Sequence, residues 1–234
     1  TIPINSVQRI EVIKGNSASV LYGGNATAGA VNIITDQLLS FEDNYLFSSA
    51  FGSYGQFEGF VGGTQSFDSF SITGNSNYIV SDGYRRNNGL RQKNGNLEIN
   101  GSFNEKSSFH LNFVAHDQYI ELPGDVPVNA FSSGPLNGLN GFLIDPRSTD
   151  TPKDFATNHG HKFFFSLIST PRRNFEIIND GSYRFNKSQG FYFSESLTDT
   201  EMDVISYNPK LKFKQNLLGL KLMTIAGLDT SYTF

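Results

Sequence analysis

Three histidines are the side chains best suited to chemistry in this sequence, because imidazole is a common metal ligand. His116, His159 and His161 flank a long polar segment at the ends of two predicted strands. Alternation along a strand places His116 on one face and the other two rings on the opposite face. The three rings therefore diverge. We interpret them as polar residues at the strand ends and predict no metal site.

Other kinds of chemistry have less support in the residues. We recognise no nucleophile, base and orienting group, and no pair of acids at a suitable spacing. The glycine-rich run at 23–29 lacks the lysine followed by serine or threonine of a phosphate-binding loop. Cysteine is absent, and a net charge of −4 without clustered Lys and Arg argues against a general nucleic-acid binder. We therefore predict a protein that is not an enzyme, uses no cofactor and does not bind nucleic acid.

The elements that carry these residues are predicted to be strands. The sequence has 22 Phe, 10 Tyr and 23 Gly but only 8 Pro, and charged residues make up 17%. No stretch approaches the ~18 apolar residues of a membrane helix. A membrane strand needs only ~9 to 11 residues, and alternate ones face lipid. A mean hydropathy of −0.30 is therefore compatible with a barrel.

Long segments from about residue 44 onwards alternate between apolar and polar residues. Phe109, Leu111 and Phe113 fall on one face of such a segment, and His110 and Asn112 fall on the other. We predict about nine strands, near 44–53, 56–64, 68–80, 93–103, 108–118, 160–169, 174–185, 205–214 and 219–232. Short turns alternate with long loops near 81–92, 119–159 and 186–204. This sorting is typical of a transmembrane barrel with its long loops on the extracellular rim.

The first 35 residues follow a different pattern, in which two short strands are joined by small residues. Residues 7–13 alternate, Gly15 ends the first strand, and Ser17 is placed to cap helical turns that reach Tyr22. Gly23 and Gly24 supply the positive φ angles needed to leave those turns. A second apolar strand then ends at Thr35 and Asp36.

This segment resembles the later half of the plug domain of TonB-dependent outer-membrane receptors. The resemblance rests on Ile-Asn-Ser-Val-Gln-Arg-Ile-Glu-Val-Ile-Lys-Gly at 4–15 and Leu-Tyr-Gly-Gly-Asn-Ala-Thr-Ala-Gly-Ala-Val-Asn-Ile-Ile-Thr at 21–35. A Gly-Ser-Tyr-Gly turn at 52–55 is also similar to the family, whereas Asn16 stands where the family usually has proline. The motif residues expected to shape or gate the plug are Arg9, Glu11, Lys14, Gly15, Tyr22, Gly23, Gly29 and Asn32.

The resemblance implies a mainly β fold with a plug-domain segment followed by the antiparallel meander strands of an incomplete transmembrane β-barrel. We expect residues 1–36 to be the C-terminal part of the plug, 37–43 a linker, and 44–234 the first part of the barrel. Arg9 and Lys14 have two interpretations. They contact barrel carboxylates on strands outside this chain, or Arg9 pairs locally with Glu11. Because the chain starts at Thr1 and shows no signal peptide, we expect a fragment or a processed chain.

The function implied by the resemblance is active transport across the outer membrane of a Gram-negative bacterium. Expected partners are outer-membrane lipid, a small-molecule ligand such as a metal chelate, most often a ferric siderophore, and a TonB-type energy-transducing protein bound through an absent N-terminal segment. The alternatives are a passive porin-like channel, which has no need of residues 1–35, and a secreted β-sandwich binding module, which requires polar outer faces.

Two loops hold the candidate ligand contacts. A long loop is usually functional or disordered, and these two would form part of an outer vestibule. The other interpretation is a solvated cover over the barrel. The candidates are Tyr84, Arg85 and Arg86 in the first loop and Tyr119, Phe131 and Phe142 in the second.

Overall fold

The computed structural model of the chain describes residues 7–15, 28–35, 44–126, 146–193, 195–217 and 220–234. Their regular structure consists of strands, and none of them lies in a helix long and apolar enough to cross a membrane. The strands are β1 (Val7–Lys14), β2 (Gly29–Thr35), β3 (Asn44–Phe51), β4 (Phe57–Ser66), β5 (Phe70–Ser81), β6 (Leu90–Asn104), β7 (Ser107–Glu121), β8 (Phe155–Arg172), β9 (Phe175–Tyr192), β10 (Ser196–Leu217), β11 (Leu220–Gly227) and β12 (Thr230–Thr233).

Strands β1 and β2 form a separate two-stranded antiparallel sheet, as the alternation of residues 7–13 predicted. Gly15 follows β1 with φ 81°, and Gly29 begins β2 with φ 139°. Both values lie in the region that favours glycine. A Cβ atom on Gly29 would lie 2.5 Å from the carbonyl oxygen of Ile13, so the pairing of the strands also requires glycine here. The predicted helical turns at Ser17–Tyr22, the residues Tyr22 and Gly23, and the linker 37–43 lie outside the described residues.

Strands β3 to β11 form one antiparallel meander in which each strand pairs with its neighbours in sequence. All nine predicted strands are present, but the last is divided into β11 and β12, which both pair with β10. The division falls opposite Pro209, whose carbonyl oxygen accepts a hydrogen bond of 3.0 Å from the backbone nitrogen of Leu228. Proline has no amide hydrogen, so it cannot donate the second hydrogen bond of this residue pair. The ladder is therefore interrupted at this point.

The prediction of a long loop over 186–204 was wrong. Strand β9 continues to Tyr192 and β10 starts at Ser196, so most of this segment is a two-stranded hairpin. Cross-strand polar pairs hold the extension together, with Lys187 Nζ 3.1 Å from Glu201 Oε2 and Gln189 Nε2 2.9 Å from Asp199 Oδ2. Most residues of the segment 186–204 are polar on both faces of the strands. The alternation of apolar and polar residues that predicts a strand is therefore missing there.

The two faces of the large sheet differ in polarity. On the polar face Thr64, Asn77, Gln92, Asn94 and Glu98 are buried, and Asn94 Nδ2 donates to Asn77 Oδ1 at 2.8 Å. On the apolar face exposed large side chains follow one another across the strands, including Leu97, Phe113, Phe163, Ile205 and Leu211. Water-soluble proteins bury residues of the second kind. An exposed apolar face and a more buried polar face are typical of the strands of a transmembrane barrel, and the opposite of a β-sandwich.

Candidate ligand-binding site at the loop end of the sheet

The connections after β3, β5, β7 and β9 lie at one end of the antiparallel sheet, which we call the loop end. They comprise residues 52–56, 82–89, 122–154 and 193–195. The connections after β4, β6 and β8 lie at the opposite end and are turns of two or three residues, as predicted. Binding residues are concentrated in loops that a rigid scaffold holds in place. The loop end is therefore the candidate site.

Arg85 anchors the connection between β5 and β6 to the connection between β7 and β8. Its guanidinium donates hydrogen bonds of 2.7 to 3.2 Å to the carbonyl oxygens of Pro123, Gly124, Asp125 and Ser148. These acceptors lie 38 to 63 residues away in the sequence. The structure therefore gives Arg85, one of the predicted ligand contacts, a role in holding two loops together.

Asn87 makes a second anchor that the sequence analysis missed. Its Nδ2 atom lies 3.0, 2.6 and 2.9 Å from the carbonyl oxygens of Leu122, Thr151 and Asp154. Asn87 has φ 54°, a left-handed conformation that asparagine tolerates better than most residues. The Asn-Asn pair at 87–88 in a connection was the available signal, because asparagine is common in turns. Asp154 in turn accepts a hydrogen bond from the backbone nitrogen of Phe193, which brings in the β9–β10 hairpin.

Tyr54, Tyr84 and Arg147 form an exposed group that we call the rim cluster. The two tyrosine rings meet edge to face at 5.5 Å, and the Arg147 guanidinium lies 5.8 Å from the Tyr84 ring centroid. Arg147 Nε also donates to the Tyr84 carbonyl oxygen at 3.0 Å. Tyr84 was a predicted ligand contact, whereas Tyr54 and Arg147 were not, because three different connections supply the cluster. The backbone nitrogen of the exposed residue Arg86 donates to Arg147, so Arg86 lies beside it.

The remaining candidates do not belong to the rim cluster. Tyr119 lies on the apolar face, where the Arg91 guanidinium is 5.5 Å from its ring and Phe155 stacks on it at 5.8 Å. Phe191 continues this stack from Phe155 at 6.2 Å. A row of aromatic rings near the end of an apolar face is typical of the interface girdle of a membrane barrel. Phe131 and Phe142 lie outside the described residues.

The histidines lie on the faces that alternation predicted. His116 Nε2 is 2.6 Å from Asn158 Oδ1 on the polar face. His161 lies among the rings of the apolar face, 5.3 Å from Phe185 and 5.8 Å from Tyr183. Within the described part of the chain, no three His, Asp or Glu side chains are grouped as metal ligands.

The architecture was compared with known proteins. No family model and no curated protein matches the chain. Among solved structures, it is similar to the siderophore receptor PiuA of Acinetobacter baumannii, with 16% identity, 98% of this chain covered and a TM-score of 0.74. The open form of the ferric-catecholate import receptor Fiu of Escherichia coli gives 16% identity, 97% coverage and a TM-score of 0.77. The chain has the fold of part of a TonB-dependent siderophore receptor. A third such receptor, the pyoverdine-bound FpvA of Pseudomonas aeruginosa, gives 11% identity, 98% coverage and a TM-score of 0.75.

The likeness covers only part of each receptor. The chain spans 35% of PiuA, 39% of Fiu and 32% of FpvA. The match includes both the β1–β2 segment and the meander, because almost the whole of this chain is aligned. At these identities the comparison establishes the shared receptor fold, and the ligand has to be argued from the residues.

Part of the motif that resembles a plug domain can be followed in the β1–β2 sheet. Glu11 accepts hydrogen bonds from Arg9 Nε at 2.8 Å and from Asn32 Nδ2 at 3.2 Å. Of the two interpretations of Arg9, the local pair is present in the structure. Lys14 pairs with Gly29 at the end of the hairpin and is exposed. The hydrogen bonds from Arg9 and Asn32 lower the pKa of the Glu11 carboxyl below its ordinary value.

Glu11→Gln is expected to loosen the β1–β2 hairpin at neutral pH and to have less effect in acid. A carboxyl whose pKa is lowered by folding stabilises the folded state above its unfolded pKa, and this contribution is lost as pH falls through the folded pKa. Hydrogen exchange of residues 9–14, compared between wild type and variant at equal pH, measures the difference. A difference that stays constant from pH 7 to pH 3 would mean that the charge of Glu11 has no part in it.

Proposed function

We propose that the chain is the plug end and the first barrel strands of an outer-membrane receptor that captures an anionic metal chelate. The polar face then lines the lumen, the apolar face contacts lipid, and the loop end faces the cell exterior. A ferric siderophore is the favoured chelate. A TonB-type protein of the cell envelope supplies the energy for import.

The rim cluster carries this proposal. Tyr84 and Tyr54 offer aromatic surface, with exposed fractions of 45% and 47%, and Arg147 adds a cation against the same rings. Guanidinium groups bind planar, oxygen-rich anions through paired hydrogen bonds, and they stack on aromatic faces. Catecholate and carboxylate chelates of iron present such oxygens and rings. The site therefore suits an anionic chelate better than a neutral sugar or a cation.

A passive porin is the second candidate, because it shares the strands and the polarity of their faces. The observation against it is the β1–β2 hairpin, whose motif residues Glu11 and Asn32 are hydrogen-bonded to each other across the strands. A porin has no need of such a segment before its first barrel strand.

The test is binding of a ferric tris-catecholate complex to the intact purified receptor, followed by quenching of tyrosine fluorescence. Arg147→Ala and Tyr84→Ala are each expected to weaken the affinity about 10-fold, because loss of one desolvated cation–aromatic or charged contact costs ~1 to 2 kcal/mol. Arg173→Ala is the matched control, since this arginine lies in the two-residue turn at the opposite end of the sheet.

Three outcomes would contradict the proposal. The first is that the wild-type receptor does not bind a catecholate, hydroxamate or citrate complex of iron. The second is that Arg173→Ala weakens binding as much as Arg147→Ala does. The third is unchanged iron uptake in cells without the TonB-type protein, which would favour the porin.

A further inference from the structure

Two cationic side chains lie next to each other on the polar face of the sheet. Lys162 of β8 and Arg184 of β9 are direct cross-strand partners in the antiparallel register. Both side chains are exposed on this face. Directly opposed residues have Cβ atoms about 5 Å apart, and like charges in this position destabilise a sheet. We call these two residues the cation pair.

The neighbouring positions do not balance this charge. Val114 and Val204 continue the same row on β7 and β10. The adjacent rows of the polar face, as far as the structure describes them, carry no carboxylate on β7 to β10, and their residues are Asn112, His116, Gly160, Phe164, Ser182, Asn186, Met202 and Ser206. Lys162 of this pair lies against the Phe164 ring, whose centroid is 5.7 Å from Lys162 Nζ.

Two other lysines of the same face have acidic partners. Lys210 Nζ lies 3.1 Å from Asp180 Oδ2, and Lys212 Nζ lies 2.9 Å from Glu176 Oε1. Two of the cations nearer the short-turn end are therefore neutralised, whereas within the described residues Lys162 and Arg184 have no acidic partner. An unbalanced pair of this kind is ready to bind a negative charge that comes from outside these strands.

We propose that Lys162 and Arg184, with the ring of Phe164 below them, form an anion-binding site on the lumen wall, between the rim cluster and the short-turn end. Its ligand is the anionic oxygen-donor metal chelate itself, held here after it leaves the rim. This inference rests on the proposed function. The attraction is strong because a lumen narrowed by a plug holds little water and screens charges less than bulk solvent does.

The experiment compares two double variants in the intact receptor in cells. Lys162→Gln with Arg184→Gln removes both charges, whereas Lys162→Arg with Arg184→Lys keeps them. Initial uptake of radioactive iron, supplied as the anionic tris-catecholate complex, is expected to fall about 10-fold in the glutamine variant and to stay within about 2-fold in the exchanged variant. Binding at the cell surface should be unchanged in both, since the rim cluster is intact.

Uptake at the wild-type rate in the glutamine variant would overturn the inference. So would a leak of a large antibiotic into cells carrying that variant, because the cations would then be holding a carboxylate of the plug. A wild-type receptor that binds no chelate would instead overturn the proposed function. Recovery of heat-modifiable barrel from the outer membrane shows whether each variant has folded.

Discussion

Replacing Arg85 with alanine is expected to release the segments 122–126 and 146–154 from the connection that carries Tyr84. The guanidinium donates five hydrogen bonds to four backbone carbonyl oxygens. Hydrogen bonds to charged groups contribute ~1.5 to 3 kcal/mol each when buried. Since this site is partly exposed, we expect a loss of about 3 kcal/mol of loop stability.

Hydrogen exchange followed by mass spectrometry measures this loss directly. A change of about 3 kcal/mol corresponds to roughly 100-fold faster exchange of the two segments. Affinity for the chelate should fall as well, because Arg147 would no longer be held against the Tyr84 ring. Lysine at position 85 is expected to restore little, since an ammonium group cannot reach four carbonyl oxygens at once.

Arg91→Ala is a suitable control for this experiment. Arg91 is exposed on the apolar face, where it covers the Tyr119 ring, and it forms no hydrogen bond or ion pair with residues 122–126 or 146–154. Its removal should leave loop exchange unchanged. If Arg85→Ala also leaves exchange unchanged, the loops are held by Asn87 and the backbone, and our account of Arg85 is wrong.

Lysine at position 97 is expected to impair assembly of the barrel far more than lysine at the adjacent position 96. Leu97 lies on the apolar face between Gly74 and Phe113 in the strand register, near the middle of the apolar band. A lysine on the lipid face near the bilayer midplane costs ~2 to 4 kcal/mol. Asn96 points to the polar face, where it accepts a hydrogen bond of 2.7 Å from Asn112. Loss of this hydrogen bond costs only about 1 kcal/mol, and water on the polar face solvates the lysine ammonium group.

The free energy of unfolding from lipid bilayers, measured with a denaturant, compares the two variants of the intact receptor. A larger loss for Leu97→Lys than for Asn96→Lys supports lipid contact on the apolar face. The reverse order would show that the apolar face is the covered one, as in a β-sandwich, and would exclude a membrane barrel.

Several features of the fold could be predicted because they depend on neighbours in sequence. A strand repeats every two residues, so the faces of His110, Asn112 and Phe113 follow from counting. Gly15 was expected to end β1 for a similarly local reason, and it follows that strand with a positive φ. The hairpin beyond residue 186 was not predicted because its residues are mostly polar on both faces, so they do not show the alternation that indicates a strand.

The candidate site, in contrast, was predicted only in part. The two loops expected to bind ligand do lie at the loop end, and so do Tyr84 and Arg86. Arg85 was assigned to a ligand, because nothing local to an arginine shows that backbone carbonyl oxygens 38 to 63 residues away will surround it. Tyr54 and Arg147 were missed for the same reason.

The sequence by itself determined the strand class, the two faces of the large sheet, the short turns after β4, β6 and β8, and the β1–β2 hairpin. Each of these follows from a short repeat or from the conformational range of one residue type. Only the tertiary structure decided which loop residues meet at the rim and which two cations, Lys162 and Arg184, become neighbours. Which residues become neighbours depends on the register between strands and on the path of the loops. Register is set by the sum of many cross-strand contacts.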